Sequence, residues 1–83
     1  MLTQYLQAAL DNAHYEIIED EEPFYGEIPQ LTGVWATGLT LEACRRNLAA
    51  AVEDWLFFSL TRGLPIPTID GVTLHQPELV TGG

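Results

Sequence analysis

Acidic side chains are the groups in this 83-residue chain whose type and spacing come nearest to a reactive site. Glu16, Glu19, Asp20 and Glu27 lie in or beside two short segments with the composition of β-strands. Carboxylates paired in this way can hold two Mg²⁺ ions and activate water for phosphodiester hydrolysis. That chemistry requires convergence in a shielded cleft, whereas residues 19–22 form a consecutive acidic run that is typical of a solvated turn. We therefore expect no metal site and no catalytic carboxylate.

The other reactive side chains are isolated from one another. His14 and His75 lie far apart in sequence, without the spacing of zinc ligands. Cys44, the single cysteine, falls on the apolar stripe of a predicted helix, where a free thiol acts as a small hydrophobe. Ser59 lies inside the same helix and lacks the strand-turn-helix context of a nucleophile elbow. The sequence therefore predicts that the protein is not an enzyme and binds no cofactor.

The charge balance is strongly acidic. Twelve Asp and Glu residues stand against three arginines and no lysine, which gives a formal net charge of −9. A field of this sign suits solubility, repels nucleic-acid phosphates and speeds encounter with a basic partner. A hydrophobic content of 47% supports a folded core, and we expect a single domain, 1–83. Because neither a membrane span nor a signal peptide is visible, we expect a cytoplasmic protein that binds neither membranes nor nucleic acid directly.

The longest regular element is a helix predicted over residues 40–62. Apolar residues recur along it at three- and four-residue spacing from Leu41 to Leu60, which places them on one face, and neither Gly nor Pro interrupts it. Thr40 is a suitable N-cap, Gly63 is a suitable left-handed C-cap, and Pro65 prevents continuation. At about 1.5 Å per residue, this helix is roughly 34 Å long. In so short a chain, it must supply most of the core.

Shorter elements precede the long helix. Residues 2–13 have the apolar spacing of a short helix, and residues 14–38 predict a strand meander. The strands are predicted at 14–20, 24–29 and 34–38. In the tail, 63–83, the Asp70-Gly71 turn precedes a short apolar segment that can form a strand, so the sheet is expected to have three or four strands.

The predicted fold is α+β, with an antiparallel sheet of three to four strands, the long helix packed on one face, and a short N-terminal helix. The helix residues predicted to form the core are Leu48, Val52, Trp55 and Leu56. Their predicted partners on the sheet are Ile17 or Ile18, Ile28 and Val34.

Aromatic residues remain outside this core. Strand alternation places Tyr25 and Trp35 on the face opposite the helix, and Phe57 and Phe58 lie off the main apolar stripe of the helix. Aromatic area of this kind indicates a partner, and from Phe57 and Phe58 we expect self-association into a dimer or higher oligomer. The alternative is that the N-terminal helix covers part of this surface.

Several segments occur in an order that points to a known family. They are Tyr15-Glu16-Ile17-Ile18-Glu19-Asp20, Phe24-Tyr25-Gly26-Glu27-Ile28-Pro29, Leu31-Thr32-Gly33-Val34-Trp35-Ala36-Thr37-Gly38, Thr40-Leu41-Glu42-Ala43 and Gly63-Leu64-Pro65-Ile66-Pro67. In this order and spacing, the chain from Tyr15 to Pro67 resembles the HicB family of antitoxins. The short helix 2–13 is additional to many members of that family.

The resemblance implies a truncated, ribonuclease-H-like domain without the catalytic carboxylates of that fold. It also implies a partner, the small basic toxin HicA, which cleaves messenger RNA and is silenced by HicB proteins. Many HicB proteins carry a C-terminal DNA-binding domain, but only residues 75–83 follow Leu74 here, so we expect no independent DNA binding.

The residues expected to meet the toxin are Glu16, Glu19, Asp20, Glu21, Glu22, Tyr25, Glu27 and Trp35. The alternatives are an orphan homo-oligomeric scaffold and a metal-dependent nuclease, which metal binding by the purified chain would reveal.

Overall fold

The described part of the chain, residues 2–73 of a computed structural model, contains two helices and one three-stranded sheet. The elements are α1 (Leu2–Asp11), β1 (His14–Ile17), β2 (Phe24–Glu27), β3 (Trp35–Gly38) and α2 (Leu41–Arg62). The predicted α+β architecture is therefore confirmed. Each strand has four residues and is shorter than predicted, and α1 ends at Asp11 rather than at residue 13.

The long helix α2 begins and ends where its capping residues predict. Thr40 is extended, and its side-chain hydroxyl accepts a hydrogen bond from the Ala43 N–H at 3.0 Å. Gly63 adopts the left-handed conformation with φ of 67°, which stops the helix directly after Arg62. Glu42 in the first turn and Arg62 in the last turn complement the helix dipole. The bounds of α2 follow from local chemistry alone.

The sheet is antiparallel in the order β1-β2-β3. Gly26 pairs with Tyr15 on one side and with Ala36 on the other, so these three residues share the face that lies under α2. Strand β1 was predicted to continue to residue 20, but it ends at Ile17 because the chain bends over residues 19–22. The Ile18 N–H donates to the Pro23 carbonyl at 2.8 Å and closes this turn.

The core is built mainly by α2, as predicted. Three of its predicted core residues, Leu48, Val52 and Leu56, are fully buried, and they form one cluster with Ile28 and Val34. The turn between β2 and β3 contributes Leu31, the tail contributes Ile69, and α1 contributes a further set. That set is Tyr5, Ala8 and Ala9.

Three predictions about side-chain burial are wrong. Ile17 is 76% exposed, and Ile18 is only half-buried, because α2 packs over β2 and β3 and does not reach the edge strand β1. Trp55 is half-buried and packs at the margin of the core. Leu41, which the apolar spacing placed on the buried stripe, is 47% exposed in the first turn of α2.

Residues 63–73 return along the body of the protein without joining the sheet. Ile69 and Val72 exchange backbone hydrogen bonds of 3.1 and 2.8 Å around Asp70 and Gly71, which both have positive φ. The predicted turn is therefore present, but within residues 2–73 no fourth strand extends the sheet. The predictions for Leu74 and for residues 75–83 lie outside the described residues.

Replacing Leu48 by Ala should lower the free energy of unfolding by about 2 to 5 kcal/mol, because Leu48 is completely buried at the centre of α2. The matched variant Leu41→Ala should cost less than about 0.5 kcal/mol, since Leu41 is largely solvated. Urea denaturation followed by circular dichroism measures both changes. Equal losses in the two variants would mean that α2 buries a different face.

Replacing Gly38 by Ala should lower the free energy of unfolding by about 1 to 3 kcal/mol. A methyl group there would lie 2.4 Å from the backbone N of Cys44, so the helix must move away from the strand. Gly33→Ala is the control, because its surroundings are open within 4 Å and only its φ of 88° is unfavourable, at about 1 kcal/mol. A Gly38 variant no less stable than the Gly33 variant would contradict the close contact.

Candidate functional site

The sheet face that points away from α2 is the candidate site, and we call it the open face. The strand register places Glu16, Tyr25 and Thr37 side by side across the three strands. The next row contains His14, Glu27 and Trp35. The side-chain alternation that buries Gly26 and Ala36 therefore directs two aromatic residues and two carboxylates outward.

Tyr25 and Trp35 lie on the open face, as strand alternation predicted, and there they form an aromatic pair. The rings of Tyr25 and Trp35 stack with centroids 6.1 Å apart and an interplanar angle of 25°. Trp35 remains 56% exposed, although an indole offers one of the largest apolar surfaces of any side chain. The pair is therefore ordered by its own contact and still available to a partner.

Carboxylates border this pair on the same face. The Tyr25 hydroxyl donates a hydrogen bond of 2.9 Å to Glu27 Oε1, which fixes the orientation of the acid. This bond is the main cause of a raised Tyr25 pKa, and partial desolvation and the negative charges of Glu27 and Glu16 add to it. The electrostatic potential at the aromatic pair is therefore negative.

The acidic turn lies at one end of the open face. Its members, Glu19, Asp20, Glu21 and Glu22, are all exposed. Asp20 accepts a hydrogen bond from the Glu22 N–H at 3.3 Å, and Glu22 accepts one from the Thr37 hydroxyl. Glu22 is thereby held beside the third strand, so the structure brings the turn and the open face together into one acidic surface.

The carboxylates do not converge into a metal-binding cluster. Among residues 2–73, no group of three or more His, Cys, Asp or Glu side chains is arranged to hold a metal ion. Cys44 is buried, its thiol lies 3.6 Å from the Ala36 carbonyl, and burial together with the Glu22 charge raises its pKa. A raised pKa keeps this thiol protonated at neutral pH, so it acts as a core residue.

The two phenylalanines predicted to mediate self-association lie elsewhere, on α2. Phe57 is 71% exposed, and Phe58 is 48% exposed. The Arg62 guanidinium lies 4.6 Å from the centroid of the Phe58 ring and covers it. Phe57 lines a mainly apolar groove of about 380 Å³ together with Leu2 and Leu60, and Glu53 and Asp54 also line it. α1 therefore borders this surface without covering it.

Sequence reasoning missed the turn between β2 and β3 as part of the site. The Leu31 N–H donates to the Ile28 carbonyl at 2.9 Å, and the Val34 N–H donates to the Leu31 carbonyl at 3.1 Å. These bonds curl residues 28–34 beside Trp35 and leave a concavity of about 250 Å³ on the open face. Its only sequence signal is the position of Pro29 and Gly33 directly before an exposed tryptophan.

Comparison with known proteins gives the family. The UPF0150-like family matches residues 4–67 of the chain. The protein belongs to the UPF0150-like family. It is also similar to a solved structure, TTHA0281 from Thermus thermophilus, with 55% identity and a TM-score of 0.88 over 93% of this chain and 95% of that chain. No curated protein matches the chain significantly.

The part of this UPF0150-like chain that the family matches contains the whole sheet and all of α2. It therefore includes the open face, the acidic turn and the exposed phenylalanines. Neither helix of the described residues combines the length and hydropathy needed to cross a membrane.

Proposed function

We propose that this chain is an antitoxin-like interaction protein of the HicA/HicB type, which binds and neutralises a small basic toxin that cleaves messenger RNA. The open face carries the proposal, because there an ordered but exposed aromatic pair is surrounded by carboxylates. Membership of the UPF0150-like family and the HicB-like order of the segments support it.

Charge provides the first half of the mechanism. A protein that binds RNA places Lys and Arg side chains against the phosphates. The acidic turn and the carboxylates of the open face offer those cations an alternative set of anions. With a net charge of −9, the chain steers a basic protein toward this surface and speeds association. The toxin surface that is occupied in this way cannot bind RNA.

The aromatic pair provides the second half. Ion pairs at the rim of an interface affect the association rate more than the lifetime of the complex. Desolvated aromatic anchors near the centre of an interface resist dissociation, and tryptophan and tyrosine are the residues most often found in this role. Tyr25 and Trp35 are already stacked, so binding orders no further rotamers in them.

Two sets of variants separate these roles. Trp35→Ala should raise the dissociation rate about thirtyfold, corresponding to about 2 kcal/mol for an aromatic hot spot. The double variant Glu19→Lys/Glu21→Lys should instead lower the association rate and flatten its salt dependence, with little effect on dissociation. Glu22 is left intact because it bonds to Thr37. Stopped-flow binding to a small basic ribonuclease of the HicA type measures both rates.

The decisive assay is RNA cleavage by that ribonuclease with the chain in excess. Neutralisation should be complete with the wild-type chain and weaker with Trp35→Ala. Cleavage that continues unchanged with excess wild-type chain would reject the antitoxin function and leave the orphan scaffold in its place.

We further propose that the chain self-associates through α2, at the surface formed by Phe57 and Phe58. Phe57 and most of its neighbouring groove are apolar, although Glu53 and Asp54 also line the groove, and Arg62 gives this surface one of the few positive charges of the chain. The open face is the less suitable surface for self-association of an acidic chain, because it adjoins the acidic turn and carries the carboxylates of Glu16 and Glu27.

Sedimentation at micromolar concentration should show a dimer or larger species for the wild-type chain. The variant Phe57→Ser/Phe58→Ser should sediment as a monomer, because it removes the exposed apolar area without touching the core. Trp35→Ala is the control and should leave the oligomer unchanged. A wild-type chain that is wholly monomeric would overturn this proposal.

A further inference from the structure

The concavity on the open face has a lining with a distinct chemistry. It lies between Trp35 and the turn that leads from β2 to β3, and its volume is about 250 Å³. Glu27 is the one ionised side chain in its lining, and Tyr25 and Trp35 are its aromatic members. This volume is slightly below the roughly 300 to 1,000 Å³ of small-molecule pockets, which suits a group of side-chain size.

The polar part of this lining is already oriented. The Tyr25 hydroxyl occupies Oε1 of Glu27 at 2.9 Å, so the carboxylate is held at the wall of the concavity and keeps further acceptor capacity. Glu16 lies directly opposite Tyr25 on the neighbouring strand and adds a second negative charge nearby. An anion would therefore be repelled, and an apolar group would desolvate the Glu27 carboxylate without supplying a cation to balance its charge.

A planar cation satisfies both parts of the lining. A guanidinium group stacks on aromatic faces and at the same time donates hydrogen bonds to a carboxylate in fork geometry. An ammonium group offers only a compact point charge, which is more strongly hydrated. The lining thus favours arginine over lysine.

We infer that this concavity, which we call the Trp35 pocket, binds an arginine side chain of a basic partner protein, with its guanidinium stacked on Trp35 and paired with Glu27. The inference rests on the proposed function for the source of the arginine. The arginine contact is one part of that interface, and Glu27 is the acidic residue that makes it specific for arginine.

Nuclear magnetic resonance of the ¹⁵N-labelled full chain tests the pocket with two probes of equal charge, a tetra-arginine peptide and a tetra-lysine peptide. The Trp35 indole signal is assigned by its loss in Trp35→Leu. The arginine peptide should shift this signal saturably and bind about three- to fivefold more tightly than the lysine peptide. Equal affinities would overturn the assignment to arginine.

Charge-matched variants show whether the contact is specific. Glu27→Gln should weaken binding of the arginine peptide about three- to fivefold, whereas Glu19→Gln, which removes the same charge from the acidic turn, should weaken it less than about twofold. An unchanged amide spectrum of Glu27→Gln shows that its fold is intact, as expected for an exposed strand residue. Equal weakening by the two variants would mean that the arginine peptide binds by general charge attraction, and it would reject specific binding in the Trp35 pocket.

The same variants separate this inference from the proposed function. If the Glu27→Gln and Glu19→Gln variants both neutralise the ribonuclease and bind it with equal affinity, the antitoxin function is retained and the arginine pocket is rejected. Specific binding of the arginine peptide without neutralisation would retain the pocket and reject the antitoxin function.

Discussion

Where β3 ends, the backbone of Gly38 meets the backbone of Ala43 and Cys44 with no side chain between them. Gly26 is packed in a similar way, because a Cβ atom there would lie 2.8 Å from the Tyr15 ring and 3.3 Å from Cys44 Sγ. These contacts set how near α2 lies to the sheet. In a chain of 83 residues the buried area is small, so the helix must lie close to the strands for Leu48, Val52 and Leu56 to be fully covered.

The position of α2 also decides what remains uncovered. The helix lies over β3 and β2, and the edge strand β1 extends beyond it, which leaves Ile17 exposed. α1 packs on α2 rather than on the open face, so within the described residues the sheet has one buried side and one solvated side. Among residues 2–73 no third layer covers the aromatic pair, so its exposure is a consequence of the two-layer architecture.

The two exposed aromatic surfaces differ in charge, and this difference separates their proposed roles. Tyr25 and Trp35 are bordered by carboxylates that strengthen the negative potential, which favours a cationic partner. Phe58 instead lies under the Arg62 guanidinium, and Phe57 borders a mainly apolar groove, so this surface offers apolar area and one positive charge to a second copy of the chain. One small domain can thus present a surface for a basic protein and another for its own copy without mutual interference.

The sequence by itself determined the features that depend on neighbouring residues. Thr40 and Gly63 predicted the ends of α2 because capping is local, and strand alternation predicted that Tyr25 and Trp35 face away from the helix. Only the tertiary structure decided the burial of Ile17 and Trp55 and the shape of the Trp35 pocket. Burial depends on how far α2 extends across the sheet, and the pocket depends on how the turn at residues 28–34 curls beside Trp35. Burial thus depends on contacts between residues distant in sequence, which no local periodicity records. The turn is local in sequence, but its shape depends on backbone hydrogen bonds among Ile28, Leu31 and Val34, which the pattern of side chains does not specify.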